Sequence, residues 1–455
     1  MNDIRGIDRG PVQEFRGIRF ATAERLTPPV DVETWEPDLD ATLHGAQAPQ
    51  VSGPLDRILG SDDVVMSEDC LFLNVVTPGR DDDRRPVLVF IHGGAFMTGS
   101  GSMPWFDGAA LATRGDVVVV TINYRLGALG FLGDRNLGSL DQISALRWVQ
   151  RNISAFGGDP DRVTIFGESA GGASVISLLA APAADRLFHA VWAMSPSIPQ
   201  FRSIEKAEKM ERLFLDQTDG LAPVDEILAA QTADPRLATS LQNFTPTEGT
   251  EVFPVPIVDA AADDARPVVI GTNRDEMLIF TAFDPSRAAW ADDDVTREFE
   301  LRFGAHSTEA VDRYRRARPD SNASQLVSAM QTDELFRRPA QQFAARRSEL
   351  DRWTWMYQFD QTSSSFGGVL GSCHGLDIPF AFHTLTARGA EIFTGSDSTL
   401  ASVADQFSNA LVAFAHHHEP GWPAFDTNRR ATQRIGPRPD VIDDPEPDLR
   451  EVWDR

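Results

Sequence analysis

The chain has 455 residues with 42% hydrophobic content, enough for a sizeable core, and its length allows one large domain or two to three ordinary ones. A net charge of −25, with Lys206 and Lys209 as the only lysines, argues against a nucleic-acid partner, whose phosphates would be repelled. Charges run through the first residues with no apolar signal core, no run approaches the about 20 apolar residues of a membrane span, and Cys70 and Cys373 have no metal spacing; a soluble cytoplasmic protein without a disulfide scaffold is expected.

Residues 1–60 read as loops and short strands, broken by proline at Pro28, Pro29 and Pro49. A strand is predicted over 68–76, closed by Thr77-Pro78-Gly79. The runs 86–91 and 116–123 are continuously apolar, as strands buried on both faces are, and the first ends at His92-Gly93-Gly94-Ala95-Phe96. A helix is predicted over 141–156, with Ile143, Leu146, Val149, Ile153 and Phe156 on one face. The apolar run Val163, Ile165, Phe166 then enters Gly167-Glu168-Ser169-Ala170-Gly171 and a further helix, followed by a strand over 189–194. Strands alternating with helices predict a mostly parallel sheet covered by helices, with reactive groups outside the carboxyl ends of its strands.

From about 200 to 350 the pattern turns to charged amphipathic helices, such as 205–216 and 309–316, interrupted by a strand at 266–270. These read as helical insertions packed over one end of the sheet. A late strand at 353–359 and a late helix at 399–415 follow, and the acidic, proline-bearing stretch 437–455 is expected to wrap the surface. No internal repeats are present.

Strand, sharp turn and helix around Ser169 are the layout of a nucleophile elbow. Side chains at 167 or 171 would collide with the adjoining strand or helix, and the Ala170 amide stands at a helix start that favours developing negative charge. The pentapeptide alone is a weak signal, because a glycine-rich turn reads the same way. A serine hydroxyl needs a base and a third group to orient that base, which in this architecture follow in the order acid, then histidine. His374, in the glycine-flanked loop Gly371-Ser372-Cys373-His374-Gly375 after the late strand, fits the base. The acid falls in Gly271-Thr272-Asn273-Arg274-Asp275-Glu276-Met277, where spacing does not choose between Asp275 and Glu276.

These residues sit in stretches that resemble the type B carboxylesterases, the esterase and lipase group that includes the cholinesterases, on the α/β-hydrolase fold. The stretches are SEDCLFLNV (67–75), PVLVFIHGGAF (86–96), INYRLGALGFL (122–132), DQISALRWVQRNISAFGGDP (141–160), VTIFGESAGG (163–172), IGTNRDE (270–276), GSCHGLDIPFAF (371–382) and GWPAF (421–425). The resemblance implies an α/β fold with a mostly parallel central sheet flanked by helices, one domain over 1–455, and helical lid or insert segments at roughly 200–350. It places the nucleophile on Ser169, the acid on Glu276 and the base on His374, with oxyanion-hole amides at Gly94, Ala95 and Ala170. Gly93 keeps the preceding turn open, and Ser197 matches a supporting serine near the acid and histidine.

It also implies ion pairs Arg25 with Glu68 and Arg125 with Asp159, while the usual disulfide partner of Cys70 would fall near Ala48, which cannot supply it. Met277 replaces a common glycine, Asp377 a common glutamate, Arg19 interrupts the N-terminal motif, and the segments before Thr27 and after Val258 are shorter than is typical.

The function so implied is hydrolysis of a small-molecule carboxylic ester through an acyl-enzyme, with no metal or cofactor, activity rising as the histidine deprotonates near about 6 to 7, and a monomer or small homo-oligomer. The same triad acting on amides, carbamates or lactones is the first alternative, and a non-catalytic binding protein on the same fold the second. Phe253, Leu278, Phe280 and Phe283 are candidates for an acyl pocket, with core packing as their other reading.

Overall fold

The computed structural model describes residues 3–51, 65–240 and 242–454; the part of the expected N-terminal loops at 52–64 lies outside the described residues, as does Arg455. Eleven strands make one sheet: β1 (Ile7–Asp8), β2 (Gln13–Arg19), β3 (Phe72–Thr77), β4 (Arg85–Ile91), β5 (Val118–Ile122), β6 (Gly158–Glu168), β7 (Ala190–Met194), β8 (Val268–Asn273), β9 (Thr354–Phe359), β10 (Ala431–Ile435) and β11 (Asp440–Asp443). Their spatial order is β11-β10-β9-β8-β7-β6-β4-β5-β3-β2-β1. From β5 across to β10 the neighbours are parallel, and the margins at β1, β2, β3 and β11 are antiparallel.

The helices that bear on the site and the layers are α1 (Leu137–Asn152), α2 (Ala170–Leu179), α3 (Ile204–Leu215), α4 (Val224–Ala233), α5 (Asp292–Phe303), α6 (Ser307–Ala317), α7 (Ala323–Thr332), α8 (Leu400–His417) and α9 (Pro447–Trp453). The unbroken apolar strands are explained by cover on both faces. On β4, Val87, Val89 and Ile91 join the cluster that holds Ile143, Leu146 and Val149 of α1, whereas Leu88 and Phe90 join the cluster that holds Phe407, Leu411 and Phe414 of α8. Period-two alternation thus feeds two hydrophobic layers rather than one core and one wet surface. The inserted helices α3 and α4 extend the first layer through Met210, Phe214 and Ile227.

Two expectations are corrected here. The stretch 437–455 does more than wrap the surface: it forms edge strand β11 and helix α9, whose Leu449 and Val452 are buried with Phe299, Tyr314 and Met330 in a third cluster built by α5, α6 and α7. Part of its acidity is answered locally, since Asp440 accepts from Arg434 and Asp443 from Arg429, each at 2.7 Å, and part by distant arginines, Glu446 by Arg318 and Arg337 and Asp454 by Arg338. Pro447 opens α9 where its missing N–H is no loss. Second, Arg125 pairs with Asp141, not Asp159. Its Nε and Nη2 reach the two carboxylate oxygens of Asp141 at 2.8 and 2.7 Å, both groups buried, while Asp159 accepts from Arg84 at 2.7 Å. The Arg25 and Glu68 pair does form, at 2.7 Å. Cys70 and Cys373 are free and buried.

Candidate active site

Strand β6 runs to Glu168 and α2 begins at Ala170, so a single residue, Ser169, makes the corner. Its φ of 59° and ψ of −118° lie outside the favoured regions for a side-chain-bearing residue. The corner closes because its neighbours lack side chains. A Cβ on Gly171 would stand 1.9 Å from the Ile91 carbonyl oxygen, and one on Gly167 would stand 2.5 Å from the Gly171 backbone. Ser169 N–H donates to Met194 O at 2.9 Å, tying the corner to β7.

The loop after β4 lies against this corner for the same reason: a Cβ on Gly93 would meet Glu168 O at 2.7 Å and Ser169 Cβ at 3.1 Å. Gly94, Ala95 and Phe96 then follow with φ of 105°, 54° and 60°. Gly94 O accepts from the amides of Met97 and Thr98 at 2.9 and 3.0 Å, which fixes the turn. His92 braces it from behind, fully buried, with Nδ1 2.8 Å from Gly93 O and its ring stacked on Tyr124 at 4.5 Å. Burial lowers the His92 pKa to about 4, so its imidazole is neutral.

On the other side, the loops after β8 and β9 are laced together. Asp275 N–H donates to Ser372 O and Ser372 N–H to an Asp275 carboxylate oxygen, both at 2.9 Å, and Asn273 Nδ2 donates to Cys373 O at 2.7 Å. This separates the two acids that spacing left open. Asp275 serves the lacing, and the Glu276 carboxylate faces His374, with Oε2 2.7 Å from Nδ1. Oε1 of Glu276 accepts from the Asn273 amide at 2.7 Å and from the Ser195 hydroxyl at 2.6 Å. The serine that meets the acid is thus Ser195, whereas the hydroxyl of Ser197, the serine expected there, donates to Gln200 Oε1 at 3.0 Å. β7 ends at Met194, which leaves Ser195 as the first residue at the strand's carboxyl rim; that register is the signal that points to it.

The structure brings Ser169, His374, Gly93, Gly94 and Ala95 to the wall of one cavity of 370 Å³, otherwise lined mainly by apolar side chains such as Met97, Trp105, Ile279, Phe280 and Phe393. Of the apolar candidates, Phe280 lines it, whereas Phe253 is buried in the first layer, Leu278 packs on the second, and Phe283 stands outside. Among the described residues no hydrogen bond joins Ser169 Oγ to His374; Nε2 of the ring stands 3.2 Å from Oε1 of Glu168. Bonds of this kind are commonly long in an unliganded site and tighten around a bound substrate.

Glu168 and Phe336 were not singled out from sequence, although Glu168 lies inside the motif itself. Its carboxyl is buried, with Oε1 lacking a hydrogen-bond partner, and burial, with a smaller push from Glu276, raises its pKa to about 7. Phe336 sits on a π-helical turn, Asp333–Arg337, with its ring 4.7 Å from that of His374, and Arg337 of the same turn donates to Arg274 O at 2.5 Å. Burial alone would lower the His374 pKa, but the facing carboxylates of Glu168 and Glu276 outweigh it and raise the imidazole to about 9. The deprotonation expected near 6 to 7 is thus displaced upward. A third carboxyl, Asp377, lies fully buried behind Asn273 and Tyr357, at 3.3 and 3.4 Å, and burial pushes its pKa well up.

The model of the carboxylesterase family matches residues 2–447. The para-nitrobenzyl esterase of Bacillus subtilis (strain 168) is 35% identical over 483 residues, covering 98% of this chain and 96% of that protein. The phenmedipham hydrolase of Pseudarthrobacter oxydans is 32% identical, covering 95% and 93%. A crystal structure of a Geobacillus stearothermophilus carboxylesterase superposes with a TM-score of 0.86 at 34% identity, covering 99% and 98%. With a parallel sheet clad on both faces and its loops meeting at the carboxyl rim, the chain belongs to the carboxylesterase family, ester hydrolases of the α/β-hydrolase fold.

Proposed function

We propose that the protein cleaves carboxylic esters through a Ser169, His374 and Glu276 triad and an acyl-enzyme intermediate. The observation that carries this reading is the Glu276 to His374 Nδ1 contact of 2.7 Å beside a cavity that both Ser169 and His374 line. With Nδ1–H donating to Glu276, the lone pair of Nε2 is left to take the Ser169 proton as its oxygen attacks the ester carbonyl. Amides of Gly94, Ala95 and Ala170 bind the oxyanion, each such donor contributing about 3 kcal/mol to the barrier reduction. Nε2–H then protonates the leaving alkoxide, and water repeats the sequence on the acyl-enzyme. Glu276, buried and held by Ser195 and Asn273, keeps the ring oriented and balances the imidazolium.

The reading extends to the rest of the molecule: one domain in which the inserted helices bring Phe336 to the site, a small-molecule ester as substrate, a monomer or small homo-oligomer, and a cytoplasmic, reducing setting in keeping with two free cysteines. No helix among the described residues is long and apolar enough to cross a membrane. The test is steady-state hydrolysis of 4-nitrophenyl butyrate beside a matched amide, carbamate and lactone. The ester is expected to be turned over fastest, and Ser169→Ala to lower kcat by roughly 10⁴-fold or more with an unchanged circular dichroism spectrum. A folded Ser169→Ala protein that keeps its rate would refute the assignment.

A further inference from the structure

Three exposed phenylalanines, Phe280, Phe283 and Phe366, stand on segments that adjoin the Ser169 cavity. Phe280 lines the cavity yet is 54% exposed, with its ring 5.6 Å from that of His374. Phe283, 57% exposed, packs edge-on against Phe366, 52% exposed, their ring centroids 5.3 Å apart. Phe366 stands on a loop anchored to a different cavity wall. Ser363 Oγ donates to Phe393 O at 2.6 Å, Ser396 N–H donates to Ser364 Oγ at 2.9 Å, and Phe393 itself lines the cavity. The Phe283 and Phe366 pair therefore bridges the two segments that supply Phe280 and Phe393.

Phe366 has a φ of 52°, with Gly367 and Gly368 at 71° and 83°, so a residue with a bulky side chain is held in a left-handed conformation while its ring stays half exposed. The cavity's 370 Å³ is near the small end for a ligand pocket, and Phe280, an exposed part of its lining, marks one way out for a longer substrate. In the proposed reaction His374 returns its proton to the leaving alkoxide, which puts the alcohol portion beside His374 and Phe280 the next surface outward.

We propose that Phe283 and Phe366 form an outer subsite for the alcohol portion of the ester, one that takes a neutral straight alkyl chain too long for the cavity. This rests on the esterase reading, and two measurements keep them apart. Titration calorimetry of the Ser169→Ala protein with alcohols from butan-1-ol to decan-1-ol needs no turnover. Affinity is expected to climb with each methylene through decan-1-ol, and Phe366→Ala or Phe283→Ala to cut the ratio of decan-1-ol to butan-1-ol affinity roughly tenfold. On the protein with Ser169 intact, the same two changes are expected to lower the ratio of kcat/KM for decyl acetate over butyl acetate by a similar factor.

Ratios that stay unchanged, or losses equal for long and short chains, would overturn the subsite. So would a loss confined to the acyl series, read with 4-nitrophenyl decanoate against butyrate, or tighter binding of a quaternary-ammonium alcohol than of a neutral one of equal length. A change of oligomeric state with Phe366→Ala, read by light scattering, would instead make the pair a contact between copies and overturn it too. If no acetate is hydrolysed while the alcohol ratios behave as expected, the triad fails and the subsite stands.

Discussion

The two halves of the site are held by different forces. On the β4 and β6 side, position comes from missing side chains: Gly167, Gly171 and Gly93 each stand where a Cβ would fall between 1.9 and 2.8 Å from backbone or side-chain atoms of the adjoining chain. On the β7, β8 and β9 side, position comes from hydrogen bonds and charge, with Ser195, Asn273 and His374 converging on Glu276 and Glu168 facing the ring from below the elbow. Steric fixation is all or none, because backbone cannot yield by an ångström without moving a strand. Polar fixation is graded, since each partner removed leaves the others in place.

That contrast orders what substitutions should do. Gly171→Ala drives a methyl group into the Ile91 carbonyl and is expected to destabilise the fold by more than about 4 kcal/mol, read as loss of folded protein or a large fall in Tm. Gly93→Ala drives a methyl group to 2.7 Å from the Glu168 carbonyl oxygen and displaces the loop carrying the proposed oxyanion amides, so kcat should fall roughly 10²- to 10³-fold, with a smaller fall in Tm than for Gly171→Ala. A Gly93→Ala protein with full activity would show that this loop is not held by contact with the elbow.

On the polar side the effects are smaller and carry a pH signature. Glu168 contributes to raising His374 to about 9, and the base must be neutral to act, so the acid limb of kcat/KM is expected above the ordinary 6.5. Glu168→Gln removes a negative charge that favours the imidazolium. The folded pKa of His374 then falls toward 6.5, and activity at pH 6.5 rises relative to that at pH 9. A limb that stays put would mean that Glu168 does not couple to the ring. Ser195→Ala withdraws one of three donors from buried Glu276 and should cost about tenfold in kcat. Ser197→Ala, whose hydroxyl serves only Gln200, should stay within about twofold.

The same division explains what was legible in the sequence. Features set by local sterics and periodicity could be read directly: the glycine elbow at Ser169, the doubly buried strands, the helix over 141–156, which the structure divides into α1 and a 3₁₀ turn at Ile153–Phe156. Choices between neighbouring polar groups could not, because they are decided by contacts between residues 16 to 98 positions apart. Arg125 selects Asp141 over Asp159, and Ser195 rather than Ser197 reaches Glu276. Glu276 over Asp275 came from family resemblance, and only the lacing of Asp275 to Ser372 gives it a physical reason. The tail escaped for a related cause: its acidic residues suggest solvent, yet Asp440 and Asp443 find arginines across the β-hairpin, Glu446 and Asp454 find arginines distant in sequence, and Leu449 and Val452 join a cluster built from distant helices.

Every step proposed here passes through a covalent bond to one oxygen. Intact-mass spectrometry of the protein quenched within its first turnovers of 4-nitrophenyl butyrate should show one added butyryl group, mapped by peptide digestion to Ser169 and absent from Ser169→Ala. Turnover with no adduct under conditions that slow deacylation, or an adduct on any other residue, would contradict it.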